Sequence, residues 1–179
     1  IVLSTYNRPE ALRVAIRSVI LQTVTDWRLL VIGDCCDERT AVVVNSFADT
    51  RITYINLPAR CGEQAFPNSI GMALAETEYI SLLNHDDVLL QDHLEIALRI
   101  LQGKRADLFI GLAAFSRYSR PLSDGSRLPI FSEINLVNRK LSDVFAHGYE
   151  LFEPCSTWMF HRDVVEMVGL FRPSAELYR

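Results

Sequence analysis

Asp86 and Asp87 stand side by side immediately after an apolar run at 79–83 and the polar residues Asn84 and His85. Neighbouring carboxylates repel each other unless a cation or a proton intervenes. A hard divalent ion, Mg²⁺ or Mn²⁺, takes one or two carboxylates together with phosphate oxygens, so the pair has the chemistry of a metal–phosphate site. It equally suits a solvated turn that caps a helix, where Asp is common. Other polar groups occupy the same kind of place. Ser4, Thr5, Tyr6, Asn7 and Arg8 follow the first apolar run, Asp34 the second and Arg60 the third. Asp34 suits a ligand contact or a turn residue bonded to its own backbone. Tyr6 suits stacking on a flat base or packing in the core, and Arg60 a phosphate contact or plain solvation. His85 and His93 flank the acidic pair and could join a metal site or face solvent. His147 and His161 offer no usable spacing.

These groups need elements to bring them together. Pro9 suits the first position of a helix, where its missing N–H costs nothing. Leu12, Ala15, Ile16, Val19 and Ile20 follow at helical spacing. Residues 27–32 are nearly all apolar, as expected of a strand covered on both faces. The pattern then predicts a helix over 39–48 and a strand over 52–57. A loop broken by Pro58, Gly62 and Pro67 follows. Further on it predicts a helix over 68–75, a strand over 79–83, a helix over 92–101 and a strand over 108–114. This βαβ series predicts an α/β fold with a mainly parallel sheet flanked by helices in a single domain. Open sheets of that kind bind ligands at the carboxyl ends of their strands, where the polar groups above fall. The chain reads as two halves of that domain, 1–115 on the binding side and 116–179 beyond. In the second half, 116–135 is rich in Ser, Arg, Pro and Gly and reads as a loop or hairpin excursion. Residues 140–153 are ambiguous between helix and strand, 156–160 reads as a strand, and 162–168 as a helix that Gly169 ends.

Composition narrows the classes. The chain has 179 residues, is 49% hydrophobic and 22% charged, and carries a net charge of −4. That is enough chain for a core without disulfides. No basic run marks a nucleic-acid surface, and no apolar stretch is long enough to span a membrane. Cys35, Cys36, Cys61 and Cys155 form no C-x-x-C pair, so they read as reduced thiols of a cytoplasmic protein. The chain opens at Ile1 inside a strand pattern, so trimmed ends are expected.

Together the motifs resemble those of the inverting glycosyltransferases of family 2, which have the GT-A (Rossmann-like) fold. Ser4-Thr5-Tyr6-Asn7-Arg8-Pro9 is similar to that family's opening turn. The strand-then-Asp stretch from Val31 to Glu38 resembles another of its segments. So do Asn68-Ser69-Ile70-Gly71 leading into Glu78-Tyr79-Ile80, Leu83-Asn84-His85-Asp86-Asp87 at the place of its acidic metal motif, and Val168-Gly169-Leu170-Phe171. The chain departs from the pattern at Asn84, where the family usually has Asp, and at Ser69, where its helix Asn falls.

The resemblance implies an enzyme that moves a sugar from a nucleoside-diphosphate donor, UDP-sugar favoured, to an acceptor hydroxyl with inversion. Thr5, Tyr6, Asn7, Asp34, Arg60 and Asp86 would hold the nucleotide, and Asp86 with Asp87 the Mn²⁺ or Mg²⁺. The general base is expected beyond Arg179, with Glu176 as a weaker candidate. Implied partners are the donor and a glycan or lipid-linked acceptor, with work in the cytoplasm or at the inner face of the membrane. Three rivals are weighed against this. A nucleotidyltransferase usually has a Gly-rich loop after its first strand, and Thr5–Pro9 contains no glycine. A response-regulator-like domain places its acidic pair after the first strand, not the fourth. A GT-A-like domain that binds nucleotide sugar without catalysis shares every feature except the base.

Overall fold

Pro9 does begin a helix, α1 (Pro9–Ile20), and the stripe expected of it is its buried face. Leu12, Ala15, Ile16 and Val19 are all fully buried. The computed structural model describes residues 1–118, 129–134 and 154–174. Around α1 the chain alternates strand and helix: β1 (Val2–Thr5), β2 (Leu29–Gly33), α2 (Glu38–Asn45), β3 (Ile52–Asn56), α3 (Ala65–Leu74), β4 (Tyr79–Asn84) and α4 (His93–Lys104). Then come β5 (Leu108–Ile110), β6 (Ala113–Tyr118), β7 (Pro129–Ile134), a short 3₁₀ turn (Cys155–Thr157), β8 (Trp158–His161) and α5 (Asp163–Val168).

Six strands form one sheet in the order β3-β2-β1-β4-β8-β5. The pairs β1–β2, β2–β3 and β1–β4 are parallel. β8 runs antiparallel to both β4 and β5. Alternate side chains feed two cores. Leu3, Leu29, Val31 and Leu83 join α1 and Val43 and Val44 of α2 on one face. Val2, Ile32, Ile80 and Leu82 join Met72 of α3 and Phe160 on the other. Burial on both faces explains why these strands read as unbroken apolar runs.

Several boundaries differ from expectation, each for a local reason. Ser4 and Thr5 lie inside β1, because both pair in register with β2. Pro67 does not break the chain but sits in the first turn of α3, where its absent N–H costs no helix bond. The strand expected over 108–114 is two strands that bend at Gly111 and Leu112. The Gly111 amide bonds Thr157 O at 2.9 Å, one step past Ile110↔Trp158 in the pairing of β5 with β8. Helix α4 runs on to Lys104 and stops at Arg105, which is left-handed at φ 49°. The excursion after β5 includes a two-stranded antiparallel ribbon of β6 and β7, from Ala113↔Ile134 to Tyr118↔Pro129. The unassigned 140–153 lies outside the described residues.

Close packing fixes the layers. A Cβ at Gly71 of α3 would lie 2.2 Å from Val2 Cγ1, so only glycine lets this helix lie directly on β1. The acidic loop between β4 and α4 is held from α1. Gln22, 4% exposed, donates to Ser18 O and Leu90 O and accepts from the Leu94 amide at the start of α4. Ser18 Oγ accepts from the Leu89 amide, and the Thr23 amide bonds Gln91 O.

Candidate functional site

The carboxyl ends of β1, β2 and β4 open into one cavity of about 350 Å³. Its lining includes Ser4 and Thr5 at the end of β1, Tyr6 and Arg8 just after it, and Asp34 after β2. The loop after β3 gives Arg60, Gly62, Glu63 and Gln64, and the end of β4 gives Asn84, His85 and Asp86. The cavity lies where strand order reverses between β1 and β4, the usual ligand position in such sheets.

Asp34 is 5% exposed. Its carboxylate accepts from the Cys61 amide at 2.6 Å and the Gly62 amide at 2.9 Å. The turn expectation was half right: Asp34 does bond backbone, but that of the next loop rather than its own. Such charge-assisted bonds are the strong ones, and here they fix the loop that carries Arg60. Gly62 has φ +81°, a conformation that favours glycine. The Arg60 guanidinium lies over the Tyr6 ring at 4.1 Å. This exposed contact is worth about 0.5–1 kcal/mol, weak enough for a flat base to share or displace. Thr5 Oγ1 is buried in the cavity wall and has no partner among the described residues.

On the opposite wall Arg8 Nη1 donates to Asp86 Oδ2 at 2.8 Å, with both side chains at least half exposed. Such a pair contributes about 0–1 kcal/mol, so each member remains available to an anion or cation entering the cavity. Asp87 behaves otherwise. Its Oδ2 accepts from Ser156 Oγ at 2.5 Å and from Asn84 Nδ2 at 3.1 Å, and it does not line the cavity. Ser156 Oγ also accepts from the Asn84 amide at 2.9 Å. Asn84, where a carboxylate is expected by resemblance, is thus a donor that braces its neighbour. The pair forms a turn after β4, and the cap of α4 is Asp92. Burial pushes the His85 imidazole below its usual pKa and the Arg8 charge adds to this, while Asp86 opposes both.

The structure therefore brings together Thr5, Tyr6, Asp34, Arg60 and Asp86. It sets Asn7 apart: Asn7, at φ 45°, accepts from the Asp37 amide at 2.9 Å and braces the turn into α2. His93 faces away, with its ring against Phe109. Glu176 and His147 lie outside the described residues. Sequence reasoning missed Gln22, Glu63, Gln64 and Ser156. Each reaches the site through partners far along the chain, which leave no periodic trace. As for a divalent ion, Asp86 is one exposed carboxylate beside an opening able to admit a diphosphate. That fits a Mg²⁺- or Mn²⁺-type donor set, which draws its other ligands from phosphate and water. Among the described residues no three His, Cys, Asp or Glu cluster as a ready-made ion cage.

A mixed, mostly parallel sheet flanked by helices, with its polar cleft at the strand-order reversal, defines a GT-A, Rossmann-like nucleotide-binding fold. Within that class the chain belongs to glycosyl transferase family 2, whose family model matches residues 1–169. The UDP-Glc:alpha-D-GlcNAc-diphosphoundecaprenol beta-1,3-glucosyltransferase WfgD of Escherichia coli is 28% identical over 56% of this chain and 40% of its own length. The poly(ribitol-phosphate) beta-N-acetylglucosaminyltransferase TarP of Staphylococcus aureus is 28% identical over 62% of this chain and 35% of its own. The chain thus spans less than half the length of these relatives. Among solved structures, S. aureus TarS 1-349 in complex with UDP superposes with a TM-score of 0.72 at 19% identity, covering 98% of this chain and 51% of that one. The mannosyltransferase PcManGT of Pyrobaculum calidifontis, in complex with GDP-Man and Mn²⁺, superposes at 0.68 with 16% identity over 96% and 46%. Among the described residues no helix is long and apolar enough to cross a membrane.

Proposed function

We propose that this chain is the donor-binding part of an inverting glycosyltransferase that takes its sugar from a nucleoside diphosphate, UDP-sugar favoured. The observation that carries the reading is the single cavity at the carboxyl edge, shared by Asp34, the Arg60–Tyr6 stack and Asp86. In this reading Thr5, Tyr6, Asp34 and Arg60 hold base and ribose, Asn7 braces them from behind, and Arg8 turns from Asp86 to the diphosphate. Asp86 holds the Mn²⁺ or Mg²⁺, with Asp87 adding charge from one residue behind. Such an ion supplies Lewis-acid stabilisation of the leaving diphosphate. The names of WfgD and of the complexes with UDP and GDP-Man support a nucleotide-sugar donor.

The acceptor is a glycan or lipid-linked hydroxyl. Its oxygen bonds to the anomeric carbon as the bond to the diphosphate breaks, and a general base takes its proton. That base must lie within hydrogen-bond reach of the hydroxyl, and among the residues of this chain Glu176 is the lesser candidate for it. Residues 1–115 form the donor half and 116–179 the acceptor half. A lipid-linked acceptor would set the work at the inner face of the membrane. Calorimetry on Asp86→Ala tests the site. UDP binding should lose its dependence on Mn²⁺, while the melting temperature stays near that of the parent, since exposed side chains contribute within about 0.5 kcal/mol. Retained metal dependence would remove Asp86 from the assignment.

A further inference from the structure

The loop that carries Arg60 is gripped from two sides. On one side Asp34 holds the amides of Cys61 and Gly62. On the other, the Glu63 carboxylate accepts from the Ser174 amide at 3.1 and 3.2 Å and from the Ser174 hydroxyl. The segment that ends in this clasp leaves α5 at Gly169, which turns the chain at φ +82°. Phe171 then packs on Trp158, with ring centroids 6.5 Å apart, and its carbonyl accepts from Ser69 Oγ of α3 at 3.2 Å. Three consecutive residues, Cys61, Gly62 and Glu63, therefore link a buried carboxylate of the cavity to a segment more than a hundred residues later.

We propose that Glu63 is a positioning residue that ties the 169–174 segment to the donor-side loop, so that donor occupancy and the order of that segment rise together. The proposal deepens the donor-site reading and rests on it. A ligand held by Asp34 and Arg60 stiffens the loop, and a stiffened loop presents Glu63 to Ser174 in a fixed place. Ser174 is thereby held at the rim of the cavity, which Glu63 itself lines. Coupling of this kind is reciprocal: the factor by which donor tightens the segment is the factor by which the segment tightens donor.

The test is amide hydrogen exchange over 170–174, with and without UDP and Mn²⁺, in the parent chain and in Glu63→Ala, Glu63→Gln and Ser174→Ala. In the absence of nucleotide, Glu63→Ala should speed exchange of these amides about fivefold or more, the low end of ordinary coupling. Glu63→Gln keeps an acceptor and should recover most of the protection. UDP should slow these amides further in the parent but not in Glu63→Ala. Ser174→Ala should lose part of the UDP-induced protection, with UDP affinity falling by the same factor. Unchanged exchange in nucleotide-free Glu63→Ala would overturn the clasp, and UDP-induced protection that survives in it would overturn the coupling. Absence of UDP binding by the parent would instead sink the donor-site reading and the coupling built on it, and the nucleotide-free comparison would still decide the clasp.

Discussion

Asp34 and Asp86 are both carboxylates at strand ends, yet they do different work. Asp86 is exposed and its partner among the described residues, Arg8, is exchangeable. Asp34 is buried and its oxygens are committed to two backbone amides. Asp34→Ala should therefore cost stability as well as affinity. It strands two amide donors, a loss of about 1–3 kcal/mol, and should weaken UDP even in the presence of chelator. Denaturant unfolding and calorimetry of the same variant check both, and an unaltered nucleotide affinity would remove Asp34 from the site. Sequence position put Ser4 to Arg8, Asp34, Arg60 and Asn84 to Asp87 on one edge of the sheet, and of these Asn7 and Asp87 do not line the cavity. It could not separate Asp86 from Asp87. Only the tertiary contact with Ser156, 69 residues away, turns Asp87 inward.

Another carboxylate, far from the cavity, offers a test by pH. Hydrogen bonds from Arg51 hold the Asp49 carboxyl at about 2, against an ordinary 3.8, and Arg51 in turn lies over the Trp27 ring at 3.7 Å. A pKa lowered by folding contributes stability that is whole above the unfolded value and is lost as pH falls through the folded one. The melting-temperature gap between the parent and Asp49→Asn should be constant above about pH 5 and narrow steadily from there toward pH 2. A gap indifferent to pH would contradict the pairing.

At the scale of elements, the positions that read clearly were those with a period. The α1 stripe and the doubly covered strands β1, β2 and β4 are buried as their spacing requires. What did not read clearly was set by single long-range bonds. The acidic loop, for one, depends on Gln22, just past the end of α1, which bonds Leu90 O and the Leu94 amide. The antiparallel direction of β8 has no local signature, since a short apolar strand pairs equally well either way round. Gly71 did appear in the sequence, but its reason is steric: α3 touches β1 there. Gly71→Ala should destabilise the fold by about 1–3 kcal/mol through overpacking against Val2, despite the better helix propensity of alanine. Urea unfolding checks the sign, and a stabilised variant would show that the two layers are free to part.

At the scale of the whole molecule, the sheet divides the labour. Its parallel half, β3-β2-β1-β4, presents the strand ends that form the cavity. Its antiparallel half, β8 and β5, returns the chain so that the end of the 169–174 segment meets the loop after β3. Fold and cavity follow from strand order, while the proposed acceptor side falls on residues after β5, where the motifs thin out and the sequence carries little periodic signal.

The cavity is proposed to bind a nucleoside diphosphate with the help of a divalent ion. A thermal-shift panel of UDP, GDP, dTDP and ADP, each with Mn²⁺, with Mg²⁺ and with chelator, tests it most directly. A ligand at a hundred times its Kd stabilises by about 2.7 kcal/mol, or about 5–10 °C in a domain of this size. The account predicts such a shift with UDP and Mn²⁺ or Mg²⁺, and its loss or sharp reduction in chelator. No shift with any nucleotide under any of these conditions would contradict it.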